Sequence, residues 1–465
     1  MTKKYKLMEK QTQVFIVGAG LAGSLIGIYL ARRGYAVDIF ESRPDMRSTD
    51  IQAGRSINLA LSNRGIRALK KVGIDQQVLD KAVPMLGRML HDQAGNLKFA
   101  PYGRDKTEYI NSISRGELNK LLMTEAEKHK NVKLHFNQRC VDIDLHQARI
   151  TLENQTGSQR TTPKADFIIG ADGVNSAVRR AIVTQNASQT GDSTTVAYSR
   201  VEWLEHGYKE LTIRPATGKN KFRMDKQSLH IWPRGTYMLI ALPNFDGSFT
   251  CTLFFPMKGE ISFEGLNRPE KIRAFFEREF RDTLPLIDNL EKEFAENPVG
   301  KLGTLRCAPW HYKNKAVLIG DAAHAIVPFY GQGMNASFED CIYLDQCIEK
   351  HAPDWEEVFK NYEQLRYDNG QAIADLAVEN FYEMRDHVAN PIFRKKRTLE
   401  QLLEKKYEDY HSKYSLVTFH PEFSYSKAKE LGNKQDALLM ELCGALENIH
   451  TVNIEQTYQK LKALN

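Results

Sequence analysis

Gly18-Ala19-Gly20-Leu21-Ala22-Gly23 sits between an apolar run, Gln13 to Val17, and a segment of helical apolar spacing, Ser24 to Arg33, that stops at Gly34. A second apolar run, Ala36-Val37-Asp38-Ile39-Phe40, follows and ends at Glu41. Strand, glycine turn, helix and strand in this order constrain the fold more than any other feature of the chain. The first glycine permits the sharp turn, the second lets a pyrophosphate approach the backbone, and the third lets helix and strand pack closely. The helix start offers free N–H groups and a partial positive charge to phosphates. A carboxylate ending the second strand, about 20 residues further on, can bind the ribose hydroxyls of an adenosine. It disfavours a 2′-phosphate, so the expected nucleotide is FAD or NAD rather than NADP. The fingerprint occurs once, which predicts one tightly held cofactor and a reductant that docks without a Rossmann unit of its own.

The remaining pattern predicts an α/β chain. Asn63 to Val72, Gln77 to Ala82 and Arg115 to His129 have helical spacing, the last opened by Ser114 as a cap. Val132 to Phe136, Asp166 to Gly170 and Lys315 to Ile319 read as strands. Residues 195–257 change to β-rich alternation. Tyr237 to Leu242 and Phe249 to Phe255, with Asn244, Asp246 and Gly247 between them, read as an antiparallel hairpin in a separate sheet. From Asn335 onward the pattern is almost entirely helical. A length of 465 residues predicts two or three domains.

Composition excludes several classes. No run of roughly 18 apolar residues encodes a membrane span. Charge is balanced at +6 and spread along the chain, without an arginine-rich tract to mark a nucleic-acid partner. The six cysteines, Cys140, Cys251, Cys307, Cys341, Cys347 and Cys443, include no C-x-x-C pair, which argues against a zinc ribbon or dithiol centre and predicts no metal. The basic N-terminus runs straight into a strand, unlike a signal peptide. These features predict a soluble protein of a reducing, cytoplasmic compartment.

Two further glycine motifs carry chemistry. Gly170-Ala171-Asp172-Gly173 ends a strand; alone it is equally a common turn. Gly320-Asp321-Ala322-Ala323-His324 ends another, and Pro328-Phe329-Tyr330-Gly331-Gln332-Gly333-Met334-Asn335 follows. The helix start there can set the N–H groups of Met334 and Asn335 against a developing negative charge. His324 reads as a packed or backbone-bonded histidine rather than a base.

In this order and spacing the three motifs resemble the single-component FAD-dependent aromatic hydroxylases. Gly54-Arg55-Ser56-Ile57-Asn58-Leu59-Ala60-Leu61-Ser62, Ile113-Ser114-Arg115, His230-Ile231-Trp232-Pro233-Arg234 and Gly320 to Asn335 are most similar to the members that hydroxylate L-kynurenine. The likeness runs from about residue 12 to about residue 390 and is looser beyond, where Tyr414 to Phe419 still fits.

The resemblance implies a Rossmann-like FAD-binding domain from residues 1–180 and 300–345, a mostly antiparallel substrate-side sheet over 181–299, and a helical C-terminal region, 346–465, that closes the active site. It implies tightly bound FAD, NADPH as transient reductant and O₂ as co-substrate, with ring carbon 3 of L-kynurenine hydroxylated through a flavin C4a hydroperoxide. The FAD contacts it implies are Gly18, Gly20, Ala22, Gly23, Glu41, Ser42, Arg43, Arg55, Ala60, Arg115, Cys140, Asp172, Asp321, Gly333, Met334 and Asn335. The implied substrate contacts are Arg88, Tyr102, Asn380 and Tyr414, with Phe254, Pro328, Phe329 and Met384 around the ring. These residue types suit an amino acid: a guanidinium can grip its carboxylate with two hydrogen bonds. Asn380 and Met384, four apart in a helical run, share a face. No acid or base is nominated, because the substrate's amino group activates the ring position beside it. Where eukaryotic members end in a hydrophobic anchor, this chain ends in polar residues such as Tyr458-Gln459-Lys460. The rival readings are a hydroxylase for another aromatic acid and an FAD-bound module without turnover.

Overall fold

The structure is a computed structural model and describes residues 11–48, 58–154, 156–157, 160–188, 197–384 and 390–464. Two sheets position the site. The first has six strands in the order His311–Tyr312, Ala316–Leu318, Phe167–Gly170, Gln13–Val17, Ala36–Phe40 and Val132–His135. All its pairings are parallel except that of the edge strand His311–Tyr312. Helices cover both faces of a parallel sheet, so its central strands are largely apolar; Val14 and Ile16, 0% exposed, face the same core cluster as Phe167 and Val317.

The second sheet has seven strands in the order Gly300–Ala308, Tyr198–Ile213, Phe249–Pro256, Tyr237–Pro243, Ser228–Arg234, Gly87–His91 and Leu97–Pro101. The hairpin read from residues 237–255 is present in register, with Met238 opposite Phe254. All pairings are antiparallel except that of Ser228–Arg234 with Gly87–His91.

The sheet's membership departs from the boundaries expected above. Gly87–His91, Leu97–Pro101 and Gly300–Ala308 fall in the ranges given to the FAD-binding domain, yet they hydrogen-bond into this sheet. Strand pairing is non-local, and short runs such as Gly87-Arg88-Met89-Leu90-His91 carry no mark of which sheet they join.

Alternation along these strands builds two environments. Leu239, Cys251, Leu253, Phe255 and Trp232 point to an outer core under the helices Pro269–Glu279 and Leu290–Glu296. Their neighbours Met238, Ile240, Leu242, Thr252, Phe254 and Ile231 point the other way, into a cavity. The C-terminal helices Trp355–Tyr382 and Tyr425–Ala445 pack against that side, and Pro391–Lys406 packs in turn on Tyr425–Ala445.

Candidate active site

The cavity measures about 1040 Å³ and lies at the carboxyl ends of the parallel strands, where Val17, Gly18, Phe40, Glu41 and Ala171 line it. This is where ligands bind in open α/β sheets. The glycine turn forms one end. Gly18 has φ +102°, and a Cβ there would sit 2.5 Å from the Ala171 carbonyl oxygen. Gly20 caps helix Leu21–Arg32 and lines the cavity, with nothing within 4 Å of where a Cβ would be. Gly23 does not line the cavity: its Cβ would come within 1.9 Å of the Gly18 carbonyl oxygen, so its part is packing.

Glu41 is buried and accepts hydrogen bonds from the backbone N–H groups of Ala19 and Arg43, each 3.0 Å away, and from the Arg43 guanidinium. Burial alone would raise its pKa; the Arg43 guanidinium and these N–H groups outweigh it and hold the carboxyl below its ordinary range. Asp172 accepts from the Ser176 hydroxyl and, at 2.6 Å, from the Ala177 N–H, and so closes the turn before helix Ala177–Ala187. Its burial pushes its pKa up. Burial pushes the Cys140 thiol up to about 12, which leaves no reactive thiolate at neutral pH.

The third motif is braced from behind. Asp340 accepts from the Gly320 N–H at 2.9 Å and from the Arg366 guanidinium at 2.7 Å, and lies 2.6 Å from His324 Nε2. His324 is therefore tied to a buried carboxylate rather than to backbone. Helix Gly333–His351 begins at the cavity wall with Gly333 and Met334. Asn335 is an exception to the expected arrangement, because its side chain turns away from the cavity. Its oxygen accepts from the Ser62 N–H at 3.0 Å and its amide donates to the Ala60 carbonyl at 2.8 Å, which fixes Ala60 at the wall. Its backbone N–H remains in the first turn, where no intrahelical acceptor exists.

At the other end, Arg88 on strand Gly87–His91 lies among tyrosines. Its guanidinium carbon is 4.8 Å from the Tyr414 ring centroid and 5.1 Å from that of Tyr102. Tyr414 stacks on both Tyr102 and Tyr330, with centroids 5.8 Å apart in each pair. Among the described residues Arg88 has no carboxylate partner. Phe254 and Phe329 meet with centroids 4.8 Å apart, and Pro328 and Met384 complete this wall. Asn380 is displaced from the main cavity: its amide donates to the Phe329 carbonyl at 2.7 Å, and it faces a side niche shared with Arg88, Tyr414 and Arg397.

Of the residues expected at the site, Gly18, Gly20, Ala22, Glu41, Ser42, Arg43, Ala60, Arg88, Tyr102, Arg115, Cys140, Asp172, Phe254, Asp321, Pro328, Phe329, Gly333, Met334, Met384 and Tyr414 line the one cavity. Arg55 lies outside the described residues. The sequence reading missed Tyr330, although it stands inside the third motif, and the inward-facing Leu229, Ile231 and Ile240, which only strand alternation could have flagged. It also missed Arg64. This buried guanidinium donates to the carbonyls of Val417 at 2.6 Å and Phe423 at 2.7 Å and pairs with Glu339 at 3.0 Å, pinning the segment that carries Tyr414.

Sheet, glycine turn and cavity define a dinucleotide-binding α/β protein. A family model for an FAD binding domain matches residues 11–377. The fold resembles that of the tetrameric form of 2-methyl-3-hydroxypyridine-5-carboxylic acid oxygenase, with a TM-score of 0.65, 20% identity and coverage of 90% of this chain and 100% of that one. Kynurenine 3-monooxygenase of Myxococcus xanthus is 45% identical over 98% of this chain and 96% of its own length, and that of Legionella pneumophila (strain Corby) is 41% identical over 96% and 97%. The chain belongs to the kynurenine 3-monooxygenase family. Among the described residues no helix is long and apolar enough to cross a membrane.

Proposed function

We propose that this chain hydroxylates L-kynurenine at ring carbon 3, consuming NADPH, O₂ and a proton and releasing NADP⁺ and water. The observation that carries this reading is the Arg88 guanidinium, without a carboxylate partner among the described residues, between Tyr102 and Tyr414 in the cavity that also holds the glycine turn. The residues of that turn suit FAD. Gly20 leaves open backbone where a pyrophosphate needs close approach, and a helix N-terminus points there. Arg115 and Arg139, also without carboxylate partners among the described residues, add positive charge to the same wall. Bound FAD supplies the hydride acceptance and the oxygen activation.

The chain's own residues bind, orient and shield. Arg88 takes the substrate carboxylate through two parallel hydrogen bonds, and the Tyr102 and Tyr414 hydroxyls flank it. Its position fixes how far the aromatic ring reaches down the cavity. Phe254, Phe329, Pro328 and Met384 enclose that ring and keep water from the reacting carbon, which favours oxygen transfer over peroxide release. First-turn N–H groups of helix Gly333–His351 offer positive potential at the cavity wall. His324 takes no part in proton transfer, because Asp340 and the core enclose it.

The test is NADPH oxidation by the purified yellow protein with and without L-kynurenine. Kynurenine is expected to accelerate it, with 3-hydroxykynurenine formed in step. Acceleration by an anthranilate or hydroxybenzoate instead would transfer the reading to another aromatic acid.

A further inference from the structure

We infer that Trp203 and Lys301, at the rim of the cavity, form the platform on which NADPH docks to reduce the flavin. The inference rests on the reading that NADPH is the reductant. It adds a place for it, which the single dinucleotide fingerprint leaves open.

Trp203 is 58% exposed, although a tryptophan side chain is mostly apolar, and it lines the cavity. An exposed aromatic face at the mouth of a cavity is a surface on which a planar ring can stack. The local backbone is built to present the indole. Trp203 pairs with Gly303 across the strands, and a Cβ at Gly303 would come within 2.7 Å of the Trp203 ring. The glycine therefore clears the space in which the ring lies across the neighbouring strand. The register slips between Trp203 and Gly207, and such a bulge re-aims the side chains beside it.

Lys301, two residues along from Gly303, places its ammonium 5.8 Å from the Trp203 ring centroid. Among the described residues it has no carboxylate partner. Arg180, also exposed and also lining the cavity, donates to the Asn175 carbonyl and has no carboxylate partner among the described residues either. A flat aromatic face with cations beside it fits a ligand that couples a planar ring to phosphates. Its openness to solvent fits one that arrives and leaves each cycle.

The two ends of the sheet divide the work. The strand of Trp203 and that of Arg88 are separated by Phe249–Pro256, Tyr237–Pro243 and Ser228–Arg234, so four inter-strand steps, roughly 19 Å, lie between them. Reductant and substrate can then occupy one cavity wall without competing.

The test uses the FAD-loaded enzyme under anaerobic conditions, with flavin bleaching followed as NADPH is varied at saturating L-kynurenine. Trp203→Ala is expected to raise the half-saturating NADPH concentration roughly tenfold, the loss of one stacked ring. Trp203→Phe is expected to recover most of that loss. Lys301→Glu is expected to raise it as well and to flatten its dependence on salt. The Kd for L-kynurenine, read from the flavin spectrum without NADPH, should stay unchanged in all three variants. Unaltered half-saturation in both Trp203→Ala and Lys301→Glu overturns the proposal while leaving the parent reading intact. A wild-type flavin that NADPH never bleaches overturns both.

Discussion

The Arg88 guanidinium carbon stands 4.8 Å from the centre of the Tyr414 ring, which joins a strand near the start of the chain to a C-terminal segment held by Arg64. Burial would lower the arginine's proton affinity, but the Tyr414 and Tyr102 hydroxyls more than offset it and the group stays charged. A fixed cation facing a cavity is an anchor for an anion. Arg88→Ala should therefore weaken L-kynurenine binding by about 2–3 kcal/mol, the worth of hydrogen bonds to a charged group. Titration of the flavin spectrum with kynurenine measures this directly. FAD content should be unchanged, and its loss would mean that Arg88 serves the cofactor instead.

Gly20 and Gly23 should separate ligand binding from folding. A methyl at Gly20 meets open space, whereas one at Gly23 strikes the Gly18 carbonyl at 1.9 Å. Gly20→Ala is expected to leave the Tm of the FAD-free protein nearly unchanged while the protein purifies with little flavin. Gly23→Ala should lower that Tm as well. Equal loss of Tm in both would show that Gly20 matters to the turn alone.

Asp340 is fully buried and joins Gly320, His324 and Arg366. Removing one partner of a buried charge pair strands the other, at a cost of about 3–5 kcal/mol. Urea unfolding of Asp340→Asn should show a loss of that order. A loss below about 1 kcal/mol, as for a surface pair, would contradict the bracing role.

At the edge of the outer core two buried histidines link polar groups into a chain. His91 Nδ1 is 2.7 Å from Asp282, His91 Nε2 is 2.9 Å from His230 Nδ1, and His230 Nε2 is 2.8 Å from the Asp225 carbonyl. Burial, the largest influence, pushes the His230 pKa down from 6.5 to about 4. The folded state therefore binds fewer protons than the unfolded state between these values. Stability from this group is full above pH 6.5 and falls as pH drops towards 4. Chemical denaturation across that range should show the wild type losing up to ~3 kcal/mol relative to His230→Gln. A pH-independent difference between the two would contradict this.

Much of this architecture was legible in the sequence because local rules set it. The glycine turn, the Ser114 cap and the hairpin at residues 237–255 are short-range features, and each stands where the pattern placed it. What the sequence concealed was long-range. Nothing local assigns Gly87–His91 to the antiparallel sheet, and Asn335 reads as a helix-start donor until its amide is seen gripping Ala60. Arg64 lies in a segment whose helical spacing marks no buried charge, yet it is wholly buried and donates to carbonyls from Leu416 to Phe423.

Single-turnover product analysis tests the central claim most directly. The holoenzyme is mixed with one equivalent of NADPH, excess O₂ and saturating L-kynurenine, and both products are quantified. The account predicts about one equivalent of 3-hydroxy-L-kynurenine and little hydrogen peroxide. Peroxide in place of the hydroxylated product would mean that the Arg88 end of the cavity does not present kynurenine's ring to the flavin, and would contradict the proposed function.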